Sequence, residues 1–144
     1  MAILDTSTIT KAVENMLKKN LSGYIIERNE RKNVDPNKCT LRKGLIGIYT
    51  DEDLYEAYTI GSRPWKLYSS FFINIQVADA RSGAKCEEKL KDAIKEIVDI
   101  LEADRTLDGT VACIMNYRIK YEYNNIDNIY FYGANIFPGC EVRA

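Results

Sequence analysis

The chain has 144 residues, 46% hydrophobic and 28% charged, enough for one domain that buries roughly two-thirds of its unfolded surface. With 20 Lys+Arg against 21 Asp+Glu the formal charge is -1, so any contact with nucleic acid is confined to a local patch. The histidine count is zero, which removes the usual acid/base group near neutral pH and most zinc sites, and no apolar run approaches the roughly 20 residues of a membrane span.

In chain order, residues 6 to 20 place Ile9, Val13, Met16 and Leu17 on one stripe, with Gly23 beyond them, and predict an amphipathic helix. Residues 24 to 31 begin β-favouring and end charged, predicting a strand that emerges into solvent. A loop from 32 to 40 holds Pro36 beside Asp35 and Asn37, which favour a turn, and a second strand spans 45 to 49. Residues 51 to 66 read as a loop with some extended structure. From 68 to 78, Ile73, Ile75 and Val77 alternate with Asn74 and Gln76, as a central strand requires. After a turn at 79 to 83, the stripe Cys86, Leu90, Ala93, Ile94, Ile97, Val98 and Leu101 predicts a helix over 84 to 103, with Glu87 and Glu88 near the positive end of its dipole. A turn at 106 to 110 leads to alternation over 112 to 123. A polar turn at 124 to 128 then returns the chain along 129 to 137 as an antiparallel hairpin. Two amphipathic helices cover one face of such a sheet. The prediction is therefore a single α+β domain over 1 to 144, with a mainly antiparallel sheet of four or more strands and both helices on one side.

No phosphate-binding loop, dinucleotide turn, metalloprotease helix or nucleophile elbow occurs in the sequence. Cys39, Cys86, Cys113 and Cys140 form no C-x-x-C pair and read as thiols, Cys86 and Cys113 on apolar stripes. Asp51, Glu52, Asp53 and Glu56 lack the spacing of a calcium loop and read as a solvated acidic face; Asp104 and Asp108 read as turn residues. No catalytic residue, metal ligand or cofactor site is nominated. Between 27 and 43, Arg28, Arg31, Lys32, Lys38, Arg42 and Lys43 outweigh Glu27, Glu30 and Asp35. This surplus reads either as an exposed strand end and loop or as a patch facing phosphate or an acidic partner. With the acids at 51 to 56 it suggests complementary patches at opposite edges, suited to head-to-tail packing. Tyr121, Tyr123, Tyr130 and Tyr132 exceed what a small core needs and point to an interaction surface.

The stretch from Phe71 through Asp79, then Ser82, the Glu87-Glu88-Lys89-Leu90 helix, the Leu107-Asp108-Gly109-Thr110-Val111 exit and a long alternating strand resembles bacteriophage tail terminator (tail completion) proteins, including caps of contractile tails and tail-like bacteriocins. The resemblance implies a non-enzymatic ring, typically hexameric, that caps the tail tube, stops its polymerisation and meets the head-tail connector. Its partners would be further copies, the tube protein, a connector or neck protein, the sheath where the tail contracts, and DNA in the channel, with no membrane. It would sit in a virion tail or tail-like particle assembled in the bacterial cytoplasm. A neck or adaptor protein is the neighbouring alternative, and a small single-stranded nucleic-acid-binding module the alternative of a different class.

Overall fold

The computed structural model describes residues 6–28, 43–56, 65–111, 113–126 and 128–141. The element order is α1 (Thr6–Asn20), β1 (Tyr24–Arg28), β2 (Gly44–Glu56), β3 (Trp65–Asp79), α2 (Gly83–Ala103), β4 (Cys113–Ile126) and β5 (Ile129–Glu141). One five-stranded sheet runs in the order β1-β2-β3-β5-β4. Only the β1/β2 pair is parallel; the other three pairs are antiparallel. This is the α+β architecture expected from the period-3.6 and period-2 segments.

Both helices cover the same face. Ile9, Val13 and Leu17 of α1 and Cys86, Leu90, Ala93, Ile97 and Leu101 of α2 bury against Ile46, Ile48, Phe71, Ile73, Ile75, Val77, Ala134 and Ile136 of the strands. In β3 Phe71, Ile73, Ile75 and Val77 are buried on the face that meets the helices, while Ala78 on the other face is buried among Ile129, Leu45 and Phe131. Lys18 and Lys19 sit in the last turn of α1, where cations suit the dipole. Gly23 supplies the left-handed residue (φ 86°) that turns the chain into β1.

The α2 start differs from the sequence expectation. The helix begins at Gly83, so Glu87 and Glu88 lie past its first turn, where the dipole contribution has decayed. The cap is instead Ser82, whose hydroxyl accepts from the Lys85 backbone N–H at 3.1 Å.

The described part of β1 ends at Arg28, and the rest of the expected strand, 29 to 31, lies outside the described residues; two other boundaries move. The loop expected over 51 to 66 is corrected: β2 continues to Glu56 and β3 opens at Trp65, while 57–64 lie outside the described residues. Cross-strand pairing of Glu52 with Ser70, Asp53 with Ser69 and Glu56 with Trp65 overrides the local acidic composition, with irregularities after Thr50 and Leu54. The β4/β5 hairpin is tighter than a turn over 124 to 128, since Ile126 pairs with Ile129 and Asn128 takes the left-handed conformation (φ 63°) that asparagine tolerates. Among the described residues no helix is long and apolar enough to cross a membrane.

Candidate functional site

The basic residues divide. Arg28 ends β1 on the helix side, its Nε 3.9 Å from Glu14 Oε1 on α1, so part of its charge is spent within the fold. Lys43 is exposed, its backbone N–H donates to Gly23 O at 3.0 Å, and its Nζ stands 6.0 Å from the Tyr24 ring centre. Arg31, Lys32, Lys38 and Arg42 lie outside the described residues. Asp51 is exposed on β2, and Glu52 and Asp53 follow it in the pairing with β3. Arg28 pairs with Ile48 of the same strand, so these acids stand on the neighbouring strand to Arg28. The expected separation of acidic and basic patches to opposite edges does not hold for these residues, because β1 and β2 are adjacent.

The tyrosines do come together. Tyr123 lies directly across from Tyr132 in the β4/β5 ladder, their rings meeting edge to face at 4.8 Å. Tyr121 stacks beside Tyr123 at 6.4 Å, and Tyr130 meets Tyr132 at 6.2 Å. Residues two apart on one strand share a face, and the directly opposed pair joins the strands, so period 2 alone builds this cluster. Lys91 of α2 caps it, with Nζ 4.3 Å from the Tyr121 ring centre and 3.2 Å from its hydroxyl. That hydrogen bond raises the lysine pKa, so the cap stays cationic. Tyr123 is 55% exposed and Tyr121 37%, leaving a tyrosine ledge at the β4 end of the sheet. A shallow depression beside Lys91 is lined by Ala84, Glu87, Glu88 and Asp92, which gives the ledge an acidic margin.

Two features escaped the sequence reading. On the face away from the helices, Tyr49, Phe72 and Phe137 form a row across β2, β3 and β5, with ring centres 5.2 and 5.6 Å apart, and the Arg118 guanidinium lies 4.9 Å from the Phe137 ring. The signal was the Phe71-Phe72 doublet, which in an alternating strand must put one ring on each face. The second is Asp79, 5% exposed at the end of β3. Its Oδ1 accepts from Arg81 N at 2.7 Å and its Oδ2 from the Arg81 guanidinium at 2.8 Å. These bonds hold its pKa at about 2 against the burial that opposes them.

Asp104 and the buried thiols serve structure. Asp104 accepts from Thr106 Oγ1 at 2.6 Å, Thr106 N at 3.1 Å and Asp108 N at 2.9 Å, bonds that lower its pKa and close the turn after α2. Cys86 and Cys140 are buried free thiols, and burial pushes the Cys86 thiol up. Among the described residues no three His, Cys, Asp or Glu side chains are grouped to hold a metal. What these side chains offer is contact surface: cations and hydrogen-bonded carboxylates at the β1 end, exposed phenols with an acidic margin at the β4 end. The chain matches no known family model and no curated protein sequence.

Proposed function

We propose that the chain is a structural phage-tail assembly protein that forms a ring on the end of the tail tube, stops tube growth and presents a surface to the head-tail connector. The observation that carries this reading is the pair of unlike surfaces at the two ends of the sheet. Arg28 and Lys43 lie at the β1 end, and the tyrosine ledge with Glu87 and Glu88 lies at the β4 end. Cations meet tyrosine faces and carboxylates favourably, and unlike surfaces at opposite ends of a subunit favour head-to-tail closure over a twofold contact. The role is non-enzymatic, in a tail or tail-like particle assembled in the bacterial cytoplasm, and its partners are further copies, the tube protein and the connector.

Negative-stain electron microscopy of the chain alone and mixed with tail tubes tests the reading. Rings, or caps on tube ends, are expected, and combined Arg28→Glu, Arg31→Glu and Lys32→Glu should abolish them. Unchanged assembly by that variant would remove the basic end from the reading. A chain that stays monomeric and unbound beside tubes would overturn the whole. A neck or adaptor role in the same assembly would give rings that leave tube ends bare.

A further inference from the structure

β4 is the last strand of the sheet, and among the described residues nothing pairs with its outer side. The backbone groups on that side follow from the hairpin. Ile126 pairs with Ile129 across two intervening residues, and a pair that closes so short a loop exchanges both of its hydrogen bonds. Bonding then alternates along the ladder, so Asn124, Glu122, Lys120 and Arg118 bond to β5, while Asn125, Tyr123, Tyr121, Ile119 and Tyr117 aim their N–H and C=O groups outward. Pro138, which has no N–H, stands opposite Tyr117, at a pair where this phase requires none toward β4. Sheet edges are ordinarily blunted by shortness, proline, a bulge or charge. β4 has 14 residues and no proline, and its irregularity lies between Ile114 and Asn116, so the stretch from Tyr117 to Asn125 is a regular open template. Lys120, Tyr121, Glu122 and Tyr123 are all exposed, and α2 packs over β3 and β5. What remains to select a partner is charge, since neither Lys120 nor Glu122 has an ion-pair partner among the described residues.

We infer that this edge takes β4 of a second copy of the chain, antiparallel, about a twofold axis through Tyr121 perpendicular to the sheet. Outward-facing residues must meet outward-facing residues for the strands to bond, which puts the axis on a residue rather than between two. An axis through Lys120 would oppose Lys120 to itself, one through Glu122 would oppose Glu122 to itself, and one through Ile119 would oppose Arg118 to Lys120. Each of these is a like-charge pair directly across the strands. The axis through Tyr121 instead sets Lys120 against Glu122 of the second copy, twice per dimer, and Arg118 against its Asn124. These residues fall at the pairs without hydrogen bonds, where facing side chains stand closest. On the helix side Tyr121 meets its own copy and Ile119 meets Tyr123. Every outward N–H from Tyr117 to Asn125 then finds a carbonyl, and two five-stranded sheets become one.

The inference goes beyond the ring reading and does not rest on it. A ring neighbour would occupy the same tyrosine ledge, so the twofold dimer and the ring exclude one another. The dimer is the form of the chain away from tubes, and it keeps the ledge covered there. A tube end adds contacts that the free chain lacks, and these favour the head-to-tail arrangement on the tube.

The test uses the intact chain without tubes. Sedimentation equilibrium from about 1 to 500 µM brackets micromolar association, and wild type is expected to pass from monomer to dimer. Lys120→Glu and Glu122→Lys should each weaken the dimer by about tenfold, since each turns two opposite-charge pairs into like-charge ones, and the combined variant should restore it. Amide hydrogen exchange then identifies the edge. The N–H groups of Ile119, Tyr121 and Tyr123, open to water in the monomer, should gain protection with concentration in wild type and in the combined variant, while those of Lys120 and Glu122, already bonded to β5, should change little. Four results would each overturn the inference: a wild type monomeric throughout, single variants that dimerise like wild type, a combined variant no tighter than the single ones, or a dimer without protection at those three amides. Caps on tube ends formed by a chain that never dimerises would overturn it too, while leaving the ring reading intact.

Discussion

The Tyr24 hydroxyl of β1 donates to Glu96 Oε2 on α2 at 2.8 Å, and at the other end of the sheet the Tyr117 hydroxyl of β4 donates to Glu102 Oε1 at 2.7 Å. The two edge strands are thus latched to one helix. Burial and the facing glutamate raise both tyrosine pKa values. Replacing Tyr24 by Phe should cost about 1 to 2 kcal/mol, because a partly buried carboxylate loses its donor, and replacing Tyr117, whose partner Glu102 is exposed, about 0.5 kcal/mol. A raised folded pKa means the unfolded tyrosines ionise first, near their ordinary 10.0, so stability present below that pH is lost as pH rises above it. Urea midpoints between about pH 9 and 11 should fall more steeply for wild type than for the double Phe variant.

Asp79 sets the acid limb. Its folded pKa of about 2 lies below the ordinary 3.8, so the unfolded chain takes up the proton first as pH falls, and stability present above pH 3.8 drains away toward pH 2. Asp79→Asn should flatten this decline in denaturation series at low pH. It should also cost about 1 to 3 kcal/mol at neutral pH, because the backbone N–H of Arg81 loses a charged acceptor. The exposed Arg81 guanidinium, its side chain 76% accessible, is screened by water and adds little of this.

The turn after α2 holds three successive left-handed residues, Leu107 (φ 49°), Asp108 (φ 58°) and Gly109 (φ 77°), and the Leu107 side chain is fully buried. Leu107→Ala should destabilise by about 2 to 4 kcal/mol through the cavity it leaves. Asp108→Gly keeps the backbone bond to Asp104 and relieves the left-handed strain, so a gain of up to about 1 kcal/mol is expected. Thermal denaturation of the pair should shift in opposite directions.

The exposed phenols offer a functional contrast to these core changes. Combined Tyr121→Ser and Tyr123→Ser should move stability by less than about 1 kcal/mol. If the ledge is the contact between neighbouring copies, the same variant should lose ring formation in electron micrographs while keeping its circular dichroism spectrum.

Most of the fold was legible because period 3.6 and period 2 persist over long stretches: the Cys86 to Leu101 stripe and the Ile73 to Val77 alternation each have one solution. The acidic run from Asp51 to Glu56 misled because its strand character comes from pairing with β3, a long-range contact that local composition does not record. The tyrosine cluster could be foreseen from spacing, whereas the row Tyr49, Phe72 and Phe137 required the register of three strands before its members became neighbours. Asp79 was read only as a turn residue, since its burial depends on how α2 closes over the end of β3.

The two described thiols mark opposite ends of β5, one from α2 packed against its start and one within the strand itself. Cys86 Sγ lies 3.4 Å from Tyr130 O near the start of β5, and Cys140 lies near its end. With Cys39 and Cys113 replaced by serine, a thiol-reactive dye would find both remaining sites closed in the native protein and would enter each only when its own end of the sheet opened. The chain therefore carries its own two-point clock, and the ratio of the two labelling rates records which end of the hairpin lets go first.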